Sequence, residues 1–90
     1  MEERLVIRFA QSSDVKTILE LIKELAEYEK LSDRVIATEE KLERSIFGNE
    51  KFVEILLAEV NNKSVGYALF FKNYSTFLGK PGIYLEDLFV

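Results

Sequence analysis

Hydrophobic positions along this chain recur with two different periods, and the switches between them set the expected order of elements. Leu5–Phe9 (LVIRF) is a short run rich in branched and aromatic residues, the composition of a strand. Ser12, Ser13 and Asp14 follow. Their side-chain oxygens suit the free N–H groups of a helix start, and the aspartate charge suits its positive dipole end. From there Val15, Ile18, Leu19, Ile22, Leu25 and Ala26 recur at spacings of three and four. Lys16, Glu20, Lys23, Glu24 and Glu27 fill the opposite side, so the spacing predicts an amphipathic helix over about 13–28. A second, shorter helix is predicted from Thr38. Glu39 and Glu40 fall in its first turn, Leu42 and Ile46 share a face, and Gly48 suits the left-handed position just past the end.

The remaining pattern is that of strands. Phe52–Val60 and Ser64–Tyr74 flank Asn61-Asn62-Lys63, which reads as an antiparallel hairpin, and Gly66 marks a bulge or a close backbone approach. Ser75–Gly82, with Gly79, Pro81 and Gly82, reads as a loop, and Ile83–Val90 as the last strand. The order β-α-α-β-β-β gives an α+β fold, a mostly antiparallel sheet with two helices. Regular alternation in the last strand puts Ile83, Leu85 and Phe89 on one face and Tyr84, Leu88 and Val90 on the other. A strand apolar on both faces calls for cover on both sides and a neighbour on each edge. Only the preceding hairpin offers one, so residues 1–90 are expected to be part of a larger unit.

Composition narrows the function classes. Ninety residues make one domain at most, one that buries only about two-thirds of its unfolded surface. With 48% hydrophobic and 31% charged residues the chain is ordinary globular material. A net charge of −4 without a basic cluster argues against nucleic acid as a partner. There is no Cys and no His, so any chemistry here must use carboxylates, Tyr, Lys, Ser/Thr or backbone groups, and no metal site is expected. MEERLVIRF has no signal-peptide core, and the apolar run Tyr67–Phe71 is far short of the ~20 residues of a membrane helix. The chain reads as cytoplasmic, with no membrane partner.

The stretches IRFAQSSDVKTILELIKELAEYEKL, TEEKLERSIFG and AEVNNKSVGYALFFKNYSTFLGKPGIYLEDLFV, in that order, resemble the N-terminal half of the diamine (spermidine/spermine) N-acetyltransferases of the GNAT superfamily. LIKELAEYE (21–29) and GIYLEDLFV (82–90) carry the resemblance most specifically. It implies acetyl transfer from acetyl-CoA to a primary amine of a small polyamine or related amine, by a homodimer. In that superfamily a glycine-rich loop opening a helix would come next and hold the CoA pyrophosphate. The four glycines here, at 48, 66, 79 and 82, are scattered. The 90 residues alone are therefore expected to be inactive.

The resemblance also implies roles. Glu86 would face the amine and relay its proton, with Asp87 beside the same channel. Tyr28 and Glu29, ending the long helix, would bind a second cationic nitrogen. The backbone of Leu88, Phe89 and Val90 would pair with the acetyl-pantetheine arm. Read from the residues alone, each has a plainer rival. An acidic pair in a strand is more often a solvated edge, Tyr28-Glu29 is a fraying helix end, and Leu88–Val90 is core. Tyr67, Phe70, Phe71, Tyr74 and Phe77 without a basic groove also read as core rather than a base-stacking platform. On these rivals the chain is a non-catalytic fragment, or a module that dimerises or binds a partner.

Overall fold

A computed structural model describes residues 4–49 and 51–90; Met1–Glu3, the start of the N-terminal segment read above, lie outside the described residues. Strand β1 spans Leu5–Phe9, as predicted. A short 3-10 turn at Ser12–Asp14 leads into α1, Val15–Tyr28, and a second at Ser32–Arg34 precedes α2, Glu39–Phe47. Strands β2 (Glu54–Val60), β3 (Lys63–Ser75) and β4 (Lys80–Phe89) follow. Among the described residues the four strands form one antiparallel sheet in sequence order, β1-β2-β3-β4.

The helix start is made differently from the serine reading. The Asp14 carboxylate accepts the Gln11 N–H at 2.7 Å, closing the first turn, and it is fixed by Arg8. Arg8 donates to Asp14 through both terminal nitrogens (2.8 and 3.0 Å) and to Glu59 through Nε at 3.0 Å, tying β1, β2 and α1 together. That bonding, more than Coulomb attraction, holds Asp14 below the usual carboxylate pKa. In α2, Thr38 Oγ1 accepts the Lys41 N–H, as a cap should. Gly48 departs from expectation: its φ of −76° and ψ of 179° are extended, not left-handed. Space explains the glycine, since a Cβ there would lie 2.5 Å from the Arg44 carbonyl oxygen.

Val15, Ile18 and Leu21 of α1, Leu42 and Ile46 of α2, Ile55 and Leu57 of β2 and Tyr67 of β3 form the core between the helices and one sheet face. Each large apolar side chain so buried contributes about 1.5–3 kcal/mol. The opposite sheet face has no such cover. Leu5, Ile7 and Phe9, then Leu56 and Ala58, then Ala68 and Phe70, then Leu85 and Leu88 share it by register, and its outer members are exposed.

The β2–β3 turn has positive φ at both Asn61 (52°) and Asn62 (68°), the twist an antiparallel hairpin favours. Val65 is the extra residue between the pairs Ala58–Gly66 and Glu59–Ser64, and a Cβ on Gly66 would sit 2.5 Å from the Phe89 carbonyl oxygen. Gly66 thus lies at a bulge and at a close approach. The predicted 75–82 loop is shorter. Tyr74 pairs with Pro81 and Ser75 with Lys80, so β4 starts at Lys80 and the turn closes over four residues, with Gly79 at φ 66°. Proline is tolerated because β4 is an edge strand. Tyr74 and Phe77 project into solvent rather than joining the core; Phe77 is 99% exposed.

Candidate active site

The last strand carries most of the predicted residues, and its ladder has a defect where they lie. Leu69 pairs with Asp87 and Phe70 with Leu85, leaving Glu86 as the additional residue of a β-bulge. Strict alternation would put the adjacent Glu86 and Asp87 on opposite faces of the strand, and it breaks there. The bulge also exchanges the faces of the outer strand. Tyr84 joins Asp87 and Phe89 on the helix side, whereas Ile83 and Leu85 join Leu88 on the uncovered side. The predicted grouping of Ile83 and Leu85 with Phe89 is corrected accordingly.

Asp87 is half-buried and its Oδ2 accepts a hydrogen bond from the Tyr67 hydroxyl at 2.9 Å. The Tyr67 ring is 2% exposed. Burial first, then the Asp87 bond and charge, then the charge of Glu29, push the phenol pKa up, so the hydroxyl keeps its proton. Glu29 therefore lies within electrostatic reach of the same hydroxyl. Glu29 at the end of α1 and Asp87 on β4 stand 58 residues apart in sequence, and both charges act on that hydroxyl.

The turn that presents Glu29 is closed, not frayed. Lys30, at φ 60°, donates its N–H to Glu27 O at 3.0 Å, and Leu31 donates to Ala26 O at 2.7 Å, the paired bonds of a Schellman motif. Glu29 itself is fixed as the cap residue, donating to Leu25 O at 3.0 Å. Tyr28, by contrast, projects outward at 80% exposure. Glu86 is exposed beside Asp87. Leu88 and Val90 are exposed and Phe89 is half-buried; all three border an apolar groove of about 240 Å³ also lined by Ile7, Ala58 and Ala68. Leu88–Val90 are thus not closed core in the 90 residues. The outer edge of β4 has no strand neighbour among the described residues.

Larger clefts lie elsewhere and touch none of the predicted residues. One of about 580 Å³ runs between the start of α1 and α2, past Ser12, Lys16, Glu39 and Arg44. Another of about 440 Å³ lies beside Phe52 and Phe71. Neither holds a carboxylate bonded to a buried hydroxyl, as Asp87 is to Tyr67. Tyr67 is the residue that the sequence reading left as core. Its burial is as read, but its hydroxyl partner stands 20 positions away and no local pattern marks it.

By sequence, the chain is 45% identical over 94% of its length to a thialysine N-epsilon-acetyltransferase of Bos taurus, of which it covers 54%. It is 38% identical over 93% of its length to a human spermidine/spermine N(1)-acetyltransferase-like protein 1, covering 13% of that protein. By structure, 96% of the chain superposes on 55% of an aminoglycoside acetyltransferase from an uncultured soil metagenomic sample, solved with sisomicin, with a TM-score of 0.73 and 23% identity. The chain has the fold of the N-terminal half of a GNAT acetyltransferase. It spans about half the length of the thialysine acetyltransferases it matches. No family model matches it. The end of α1 carries Glu29, and the bulged β4 carries Glu86 and Asp87. No described helix is long and apolar enough to cross a membrane.

Proposed function

We propose that the protein containing this chain transfers an acetyl group from acetyl-CoA to an amine of a small cationic acceptor, a polyamine or a lysine-like side chain. The observation that carries this reading is the Asp87 carboxylate held by the buried Tyr67 hydroxyl next to the bulged Glu86, with the charge of Glu29 felt at the same hydroxyl. Relatives named for thialysine and for spermidine/spermine acetylation support the acceptor class. An alkyl ammonium with a pKa near 10.4 must lose a proton before it can attack, at a cost of about 4–5 kcal/mol at pH 7. Glu86, exposed on the bulge, takes that proton directly or through a water. Glu29 and Asp87, with Tyr28 at the rim, hold a second ammonium and so place the reacting nitrogen beside Glu86. Acetyl-CoA supplies the activated acetyl group. The free edge of β4 fits its extended arm as an added strand along Leu88, Phe89 and Val90, where one backbone N–H polarises the thioester carbonyl. The neutral nitrogen bonds to the carbonyl carbon, the C–S bond breaks, and the proton the nitrogen then loses on becoming an amide goes to the departing thiolate. We further infer a cytoplasmic homodimer whose uncovered sheet face is closed by further polypeptide of the domain.

The test is thiol release from acetyl-CoA by the full-length protein with thialysine, lysine, spermidine and a simple monoamine. Turnover highest on acceptors with a second cationic nitrogen is expected, and no turnover with any of them overturns the reading. One observation favours a second reading: the apolar sheet face is open in the 90 residues. On that reading the chain is a non-catalytic module that dimerises through this face. A purified 90-residue chain sedimenting as a stable monomer would remove it.

A further inference from the structure

Tyr67 plays no part in the transfer as proposed, yet it joins the core to the site. Its ring packs in register between Leu57 of β2 and Phe89 of β4, with the Phe89 ring centroid 6.4 Å away. A tyrosine has two side-chain torsions, and packing on every side fixes both. Its hydroxyl then reaches Asp87 at 2.9 Å. Among the described residues that hydroxyl is the one side-chain partner the structure gives Asp87. An aspartate half-exposed on an edge strand would otherwise exchange rotamers freely. One O–H donated to Oδ2 leaves Oδ1 open for an incoming N–H. Because the phenol keeps its proton, it acts here only as a donor.

We propose that Tyr67 is a positioning residue that anchors the Asp87 carboxylate to the core and thereby sets the acceptor length the site selects. This rests on the amine-acetyltransferase reading above. With Asp87 fixed, the distal ammonium has a fixed seat at its carboxylate, and the reacting nitrogen lies a set distance away. Diamines of one spacing fit; shorter and longer ones lose the second contact.

The experiment uses the full-length protein and a series of linear α,ω-diamines from three to six carbons, with a monoamine as control. Tyr67→Phe removes the donor and keeps the ring. Expected are a KM rise of about tenfold for the preferred diamine, the loss of one charge-assisted hydrogen bond, and a flattened dependence on chain length. The monoamine KM should move little, and KM rather than kcat should carry most of the change. Asp87→Glu, with Tyr67 intact, should move the preferred diamine to a shorter spacing by about one methylene, and serves if Tyr67→Phe fails to fold. A uniform loss on all amines with the length preference kept would reduce Tyr67 to a structural role and overturn the proposal. Asp87→Asn separates the two levels. If it raises diamine KM while Tyr67→Phe changes neither KM nor profile, the acetyltransferase reading stands and the role of Tyr67 falls. If Asp87→Asn leaves every KM unchanged, Asp87 lies outside the amine site and both fall.

Discussion

Arg8 is the strongest test of how this half-domain is held together. Arg8→Met keeps most of the stem and removes the guanidinium that joins Asp14 to Glu59. Both carboxylates are largely covered, at 14% and 18% side-chain exposure, whereas Arg8 is 32% exposed. Exposed ion pairs contribute at most about 1 kcal/mol, and breaking a buried one costs about 3–5 kcal/mol because it leaves an uncompensated charge. The intermediate burial places Arg8→Met at about 2–3 kcal/mol at pH 7. With a urea m-value of about 1 kcal/mol/M for a chain of this size, the midpoint falls by about 2–3 M. The pH dependence supplies a second check. Asp14 has a depressed pKa in the fold, set first by the Arg8 hydrogen bonds. Its contribution is therefore complete above the unfolded-state value of about 3.9 and is lost as pH falls through the lower folded-state value. Urea titrations followed by circular dichroism should show the gap between the two proteins closing below about pH 4. A gap of equal size at pH 3 and pH 7, or one under about 0.5 kcal/mol at pH 7, would refute the argument.

Three further predictions follow from the geometry. Gly66→Ala drives a Cβ into the Phe89 carbonyl and the Val90 backbone; about 1–3 kcal/mol of destabilisation is expected by thermal melting, together with a raised KM for acetyl-CoA, and an unchanged melt would show that β4 yields freely. Lys30→Gly relieves a left-handed non-glycine residue and should stabilise the protein by about 0.5–1 kcal/mol in chemical denaturation; a loss of stability would contradict the Schellman reading. Glu86→Gln removes the proposed proton acceptor, so the reaction depends on amine already neutral in solution. The rate should fall at pH 7 and the optimum should move upward, and a pH–rate profile unchanged from the parent would exclude Glu86 as the relay.

Most elements were legible because their patterns are local. LVIRF, the stripe from Val15 to Ala26 and the Asn61-Asn62 turn each state their structure within a few residues. Leu21, buried but absent from the predicted stripe, shows how a wide apolar face blurs its own edge. The outer strand was harder. Pro81 and Gly82 look like loop residues until one knows that β4 is an edge, a fact of topology rather than composition. The bulge at Glu86 is invisible because an apolar strand shows no alternation for the extra residue to interrupt. The carboxylates of the site were named through resemblance. What holds Asp87, the Tyr67 hydroxyl, is a contact between distant positions, and Lys30 in a left-handed cap gives no glycine to mark it.

The place of β4 at the margin of the sheet bears on how the site behaves in time. Amide protons exchange with solvent through openings that are cheapest where a segment has fewest neighbours. β2 is hydrogen-bonded on both sides and carries two of the most buried side chains, Ile55 and Leu57, whereas β4 is bonded only to β3 and interrupted at Glu86. Glu86, Asp87, Leu88 and Phe89 thus ride on an edge strand that exchanges well before the β2 frame beneath it. An occupant lying along the outer edge would slow exchange in β4 far more than in β2. Deuterium uptake there would then register occupancy even where no turnover can be measured.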